Sequence, residues 1–267
     1  GSWRHVKLYI AESYMVAVDV VTGLAFAYDN RVGLKKASRS PNAAGVSGKA
    51  SGLAVEKGPI LPDSTVSTVA LPFLEVKIGG KSYVTDKDGK FSADSGLQVG
   101  PNNLELTATL AGPYVRVEDQ QGKTLSIKVM IKPGDNKVVF NPNSRIADEN
   151  ALVQSSVFRD VHLALAYLRA QKATPERMDK VQILVRPNGE GSGNAWYTTG
   201  KATLDFLLSS EKFVNSGYNT VSKHETGHFW DDFTPGGIVN GGLSEAWGDI
   251  LSMFSLNNPV IGEHFLK

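Results

Sequence analysis

Cysteine is absent from the 267-residue chain, which excludes a disulfide framework and any thiolate metal site. Imidazole and carboxylate remain as its only strong zinc ligands. Neither sign of charge is in excess, since 28 Lys and Arg stand against 27 Asp and Glu for a net charge of +1. With no basic stripe along the sequence, no nucleic-acid partner is expected. No apolar run is long enough to span a bilayer, and the best, over residues 15–28, is broken by Asp19, Thr22 and Gly23. No secretory leader is visible, and the opening Gly1-Ser2 reads as the remnant of a cleaved tag. The chain is therefore expected to be a segment of something longer. Histidine is also scarce, at five residues, yet two of them fall in one short stretch.

That stretch is His224-Glu225-Thr226-Gly227-His228. Residues four apart on a helix share a face about one turn apart, so both imidazoles reach a single tetrahedral ion. Glu225 points to the side, where it touches a metal-bound water without taking a coordination position. Catalytic zinc sites use three protein ligands and keep one position open. Glu245, within Gly242-Leu243-Ser244-Glu245-Ala246-Trp247-Gly248-Asp249, completes a His₂Glu set with His224 and His228. Asp249 lies one helical turn further on and is placed to accept the free ring N–H of a ligating histidine, which fixes the tautomer. The plain alternative for Glu245 and Asp249 is the solvated face of an amphipathic helix. Two helices joined by a short loop pack as neighbours, so the set requires only local topology.

The first half of the chain reads as strands. Segments 14–20 and 24–28 flank a hairpin turn at Val21-Thr22-Gly23, and 74–78 and 82–85 flank Gly79-Gly80. Residues 32–64, rich in Gly, Ser, Ala and Pro, are expected to be long loops with a weak strand near Leu53. Asp86-Lys87-Asp88-Gly89 lacks EF-hand spacing and a closing glutamate, so it reads as a tight turn with Gly89 at positive φ. Strands continue at 104–110, 114–117, 125–131 and 137–140.

The period then changes. Asp148 is expected to cap a helix over 149–171, with Leu152, Val153, Val157, Val161, Leu165 and Leu168 as its apolar face. His162, on this helix, reads as a structural or surface histidine rather than a ligand. A strand at 181–185, a plain loop at 187–193 and an alternating strand at 201–208 follow. Helices over 219–232 and 242–256 carry the histidine pair and Glu245, joined by a glycine-rich turn. The fold class is α+β: a β-rich region over 1–143, then 144–267 with a long helix, a small mixed sheet and the two motif helices.

These residues resemble the gluzincin metallopeptidases of the thermolysin and fungalysin type. The likeness rests on His224-Glu225-x-x-His228, on Ser244-Glu245-Ala246-Trp247-Gly248-Asp249 and on Gly193-Asn194-Ala195-Trp196-Tyr197, and it covers roughly residues 158–256. Lesser similarities link 18–23 to propeptide boundaries, 110–117 to bacterial fungalysin-like enzymes and 85–91 to transthyretin-like β modules. The resemblance implies a zincin-like catalytic subdomain in 144–267, a Zn²⁺ cofactor, a peptide or protein substrate and a secreted or periplasmic location. It also implies that Asn194 and Ala195 bind the substrate backbone from an edge strand. Departures bear on activity. Val239 stands near the place of the family's tyrosine, and His264 lies too close to Glu245 to be its further histidine. Thr220 and Leu256 stand at positions that show no calcium-binding acids, and the end at Lys267 leads to the expectation of a truncated catalytic subdomain. The alternative is an inactive zinc-binding relative acting as a binding or propeptide-like module. A non-peptidase zinc hydrolase is a third option, because the motif specifies metal chemistry and not substrate.

Overall fold

The computed structural model describes residues 6–11, 14–19, 25–28, 45–93 and 104–267, and the protein is α+β. It divides into two compact units, Gly1–Asn42 and Ala43–Lys267. In the first, β1 (Val6–Ala11), β2 (Tyr14–Asp19) and β3 (Ala25–Tyr28) form an antiparallel sheet in that order. Val18 pairs with Ala25, so both arms of the expected hairpin pair, while its turn lies outside the described residues.

The second unit begins with β4 (Val46–Val55), β5 (Val66–Ala70), β6 (Glu75–Ile78), β7 (Lys81–Val84) and β8 (Lys90–Ala93). It continues with β9 (Leu104–Thr109), β10 (Val115–Val117), β11 (Ser126–Ile131) and β12 (Gly134–Phe140). Helix α1 (Glu149–Ala170), β13 (Ile183–Gly189), β14 (Ala195–Thr198), β15 (Thr203–Leu207), α2 (Asn219–Phe233) and α3 (Gly241–Leu256) complete it. The junction between residues 143 and 144 falls inside this unit.

Strand β4 is central to one sheet, parallel to β12 on one side and antiparallel to β8 and β5 on the other. A second, antiparallel sheet has the order β11-β9-β6-β7. Alternation decides which faces turn inward: Val138 and Phe140 are buried while Asp135 and Lys137 are exposed. Val46, Ala50 and Phe91 join them in one apolar core with Val76, Ile78, Leu106 and Ile131 of the second sheet. The predicted apolar face of α1 is buried in full, and its Val153, Val157, Phe158 and Val161 belong to the same core.

Three expectations need correction. Residues 46–55 are a ten-residue central strand, where only a weak strand near Leu53 was expected among long loops. Their small side chains are a packing requirement, since a Cβ on Gly48 would lie 2.4 Å from Asn136 O and one on Gly52 2.6 Å from Ser155 Oγ. Asp148 precedes α1, but its carboxylate accepts the Arg145 N–H at 2.8 Å and closes a preceding 3₁₀ turn rather than capping the helix. Strand β13 runs on through Pro187 to Gly189, a segment expected as loop. There Asn188, buried at φ 63°, bonds the Asp119 and Asn215 side chains. The Asp86 turn is as expected, with Gly89 at φ 75° and Asp86 Oδ1 accepting the N–H groups of Asp88 and Lys90.

The third sheet, β10-β13-β15-β14, is parallel except for β14, its antiparallel edge. Strand β15 is buried along its whole length, and its Asp205 is met by Arg186 of β13 at 2.7 Å. Helix α2 packs on β14 and α1, and α3 packs on α2. No described helix is long and apolar enough to cross a membrane.

His162 is fully buried between Phe73 and Phe158, with ring centroids 5.7 and 4.4 Å away. Its Nδ1–H donates to Phe158 O at 2.8 Å and Nε2 has no partner. Burial, opposed by that bond, pushes its pKa down to about 4. The neutral ring therefore contributes stability that is complete above the ordinary value of 6.5 and is lost as pH falls through 4. Burial pushes Asp160 up to about 6, with the opposite pH trend, so a comparison of variants isolates the histidine. Between pH 7 and pH 4 the wild type should lose on the order of 3 kcal/mol more than His162→Phe in urea denaturation. Equal losses would remove His162 as an acid-sensitive group.

Candidate metal centre

Helices α2 and α3 meet at two glycines. A Cβ on Gly227 would lie 2.6 Å from Gly248 Cα, and one on Gly248 would lie 2.8 Å from the His224 ring. Hydrogen at both positions permits this approach, which brings the carboxylates of α3 onto the imidazoles of α2. Trp230 and Trp247 pack edge to face beside the crossing at 4.9 Å. Ser252 Oγ donates to Thr220 O at 2.8 Å. Asn240 caps α3 by accepting the Leu243 N–H at 3.1 Å, which sets where Ser244 and Glu245 fall in the first turns.

At the crossing, His224 Nε2 lies 3.1 Å from His228 Nε2 and 3.1 Å from Glu245 Oε2. His228 Nε2 lies 3.6 Å from Glu245 Oε1. Each Nδ1 faces its own oxygen: Asp249 Oδ1 at 2.8 Å for His224 and Ser244 Oγ at 2.9 Å for His228. A carboxylate only accepts, so Asp249 holds the proton on His224 Nδ1 and leaves the Nε2 lone pair facing the cluster. The Glu245 side chain is 66% exposed, so the cluster is open to solvent on the α3 side.

Glu225 is buried, with one carboxylate oxygen lacking a partner. Its carboxylate accepts the backbone N–H of Tyr197 on β14. Burial first, then the nearby Glu245 charge, push its pKa up to about 8. His228 is pushed down by burial and then by His224. One ligand-type atom from each of His224, Glu225 and His228 lies within 4.8 Å of the others. These three residues form a group that could hold a metal ion.

The structure thus brings together His224, Glu225, His228, Glu245 and Asp249. Ala195 opens β14 opposite Phe206, Asn194 is exposed just before it, and no hydrogen bond among the described residues joins either to the cluster. Three features escaped the sequence reading. Ser244 holds His228 Nδ1, the glycine pair sets the helix approach, and Tyr197 holds Glu225. Tyr197 is itself fixed, because its OH donates to Asp232 Oδ2 at 2.6 Å and the Gly200 N–H donates to the same oxygen at 2.7 Å. Gly227 inside the motif and Gly248 inside the second helix were the legible signals, since glycine in a helix interior costs stability unless packing requires it. Comparison with protein-family models and with curated proteins found no match.

The crossing predicts a contrast between two substitutions. Gly227→Ala should destabilise by about 1–3 kcal/mol, because its methyl meets backbone rather than a movable side chain. Gly241→Ala, where an added Cβ meets nothing within 4 Å, should be close to neutral. Urea denaturation of both variants checks this, and equal effects would contradict the close crossing.

Proposed function

We propose that the protein is a zinc-dependent endopeptidase of the gluzincin type, thermolysin- or fungalysin-like, with residues 144–267 as a zincin-like catalytic subdomain. The observation that carries this reading is the convergence of His224 Nε2, His228 Nε2 and the Glu245 carboxylate at 3.1, 3.1 and 3.6 Å. Zinc–ligand bonds of about 2.0–2.1 Å put the corners of a tetrahedron roughly 3.3 Å apart, so the residues fit the ion. Zinc supplies a Lewis acid and makes water nucleophilic near neutral pH.

The protein's own groups perform the remaining tasks. Asp249 and Ser244 hold the two imidazoles in orientation. Glu225, out of solvent and gripped by the Tyr197 N–H, takes a proton from the attacking water and returns it to the departing amine, a role that contributes about 10²–10⁴-fold. Burial makes that carboxylate a stronger base than an exposed one. An extended peptide laid along the open edge of β14 gains main-chain hydrogen bonds independent of its sequence, with Asn194 and Ala195 at its start. Secretion belongs to the same reading.

One observation favours a second reading, a zinc-binding relative without peptidase activity. Val239, near the place where the resemblance puts a tyrosine, is 82% exposed and offers no side-chain donor. Removing an oxyanion donor costs about 2.7–4 kcal/mol.

Metal analysis combined with a casein-cleavage assay tests both. Wild type should carry one zinc per chain and cleave in a chelator-sensitive manner. Glu225→Gln should keep the zinc and lose about a hundredfold or more in rate, whereas His228→Ala should lose both. Cleavage equal to wild type by Glu225→Gln removes that residue from the mechanism. Zinc without cleavage in the wild type selects the second reading, and no zinc uptake removes both.

A further inference from the structure

The sheet centred on β4 has a second face, turned away from the core. Register places Lys137 of β12 opposite Lys49 of β4, and Lys49 opposite Lys90 of β8. All three are exposed. Neighbouring strands lie about 4.8 Å apart, so three ammonium groups form a row roughly 10 Å across the strands. The flanking rows carry hydroxyls: Ser47 opposite Ser92 on one side and Ser51 on the other. Together these residues line an open depression of about 1030 Å³.

Like charges directly opposite one another on a sheet destabilise it. Among the described residues the row is offset in part by Asp88, whose carboxyl is held below its ordinary value by the hydrogen bond from Lys87 and by the charges of Lys87, Lys90 and Lys49. None of the three lysines has an ion-pair partner there. Asp86 and Asp135 line the same depression, but the nearby acids make their bonds elsewhere or stand off the row. Asp86 accepts two backbone N–H groups, Asp88 pairs with Lys87 at 3.0 Å, and Asp135 lies one row away, opposite Ser47.

We infer that this face binds an anionic polysaccharide, a chain of carboxylated or sulfated sugars laid across the lysine row. The ammonium groups take the anionic substituents and the adjoining serine hydroxyls take the ring hydroxyls. Other polyanions fit less well. Strand addition of a peptide uses a sheet edge, whereas the lysine row runs across a sheet face. Single-stranded nucleic acid requires aromatic stacking platforms, whereas Phe91, the aromatic ring lining the depression, is buried under Gly48. The inference is independent of the metal-centre reading.

Calorimetric titration with oligomers of polygalacturonate and of a sulfated glycan, at low and moderate salt, tests it. At least one should bind, and comparison of the two identifies which anion the face prefers. The triple variant Lys49→Gln, Lys90→Gln, Lys137→Gln should bind about tenfold more weakly or worse, and should melt at a higher temperature because the repulsion is relieved. A control triple on the other sheet, Lys77→Gln, Lys81→Gln, Lys128→Gln, should bind as the wild type does. The single variant Lys49→Gln gives the same reading with less change to the surface. No binding of either glycan, equal weakening by both triples, or tighter binding of polyglutamate or an oligonucleotide would overturn the proposal.

Discussion

The approach of α2 to α3 at Gly227 and Gly248 is the constraint on which the candidate centre depends. With hydrogen at both positions the two backbones come within reach of van der Waals contact. Each carboxylate of α3 then lands on a different atom of the α2 histidines. Glu245 meets Nε2, and Asp249, one turn on, meets Nδ1 of the same His224 ring. A methyl at either glycine separates the helices or displaces the ring, and all of these contacts loosen together. The geometry is therefore cooperative, since the spacing that brings one pair into register brings in the others.

Helix α2 is held from outside as well. The Arg177 guanidinium donates to the carbonyls of Asp232, Phe233 and Thr234, which satisfies acceptors that a helix C-terminus leaves unpaired. Trp230 Nε1 donates to Ala173 O at 2.6 Å. Asp232 Oδ2 also accepts from the Tyr197 OH and the Gly200 N–H, which ties α2 to β14 and the turn after it. This coupling matters for Glu225, whose carboxylate takes its backbone donor from the same strand. The same strand offers the edge along which the proposed substrate would pair.

How much of this was legible in the sequence follows from the range of each contact. The ends of α1 fall within one residue of expectation, because helical periodicity is written in neighbouring residues. The His–Glu–His spacing and the Glu245–Asp249 spacing are legible for the same reason. Strand β4 was read as little more than a weak strand near Leu53 because its glycines and serines look like turn chemistry until Phe91, Asn136 and Ser155 are brought against them from distant positions. The loop reading of 187–189 failed similarly, since Asn188 is held in β13 by Asp119 and Asn215 rather than by its own propensity. Ser244 and the Tyr197 N–H carry no motif, and only the assembled helices and sheet give them partners.

The same distinction separates the two faces of interest. The candidate metal centre draws its ligand-type groups from two consecutive helices. The lysine row is created only when β12, β4 and β8 align in one register. A shift of one residue in any of these strands would turn its lysine toward the core. Phe140, Val138 and Phe91, buried on the opposite face, oppose that shift because it would expose them. The apolar core of the β-rich region thus determines the charge pattern on its outer surface, even though none of the three lysines touches that core.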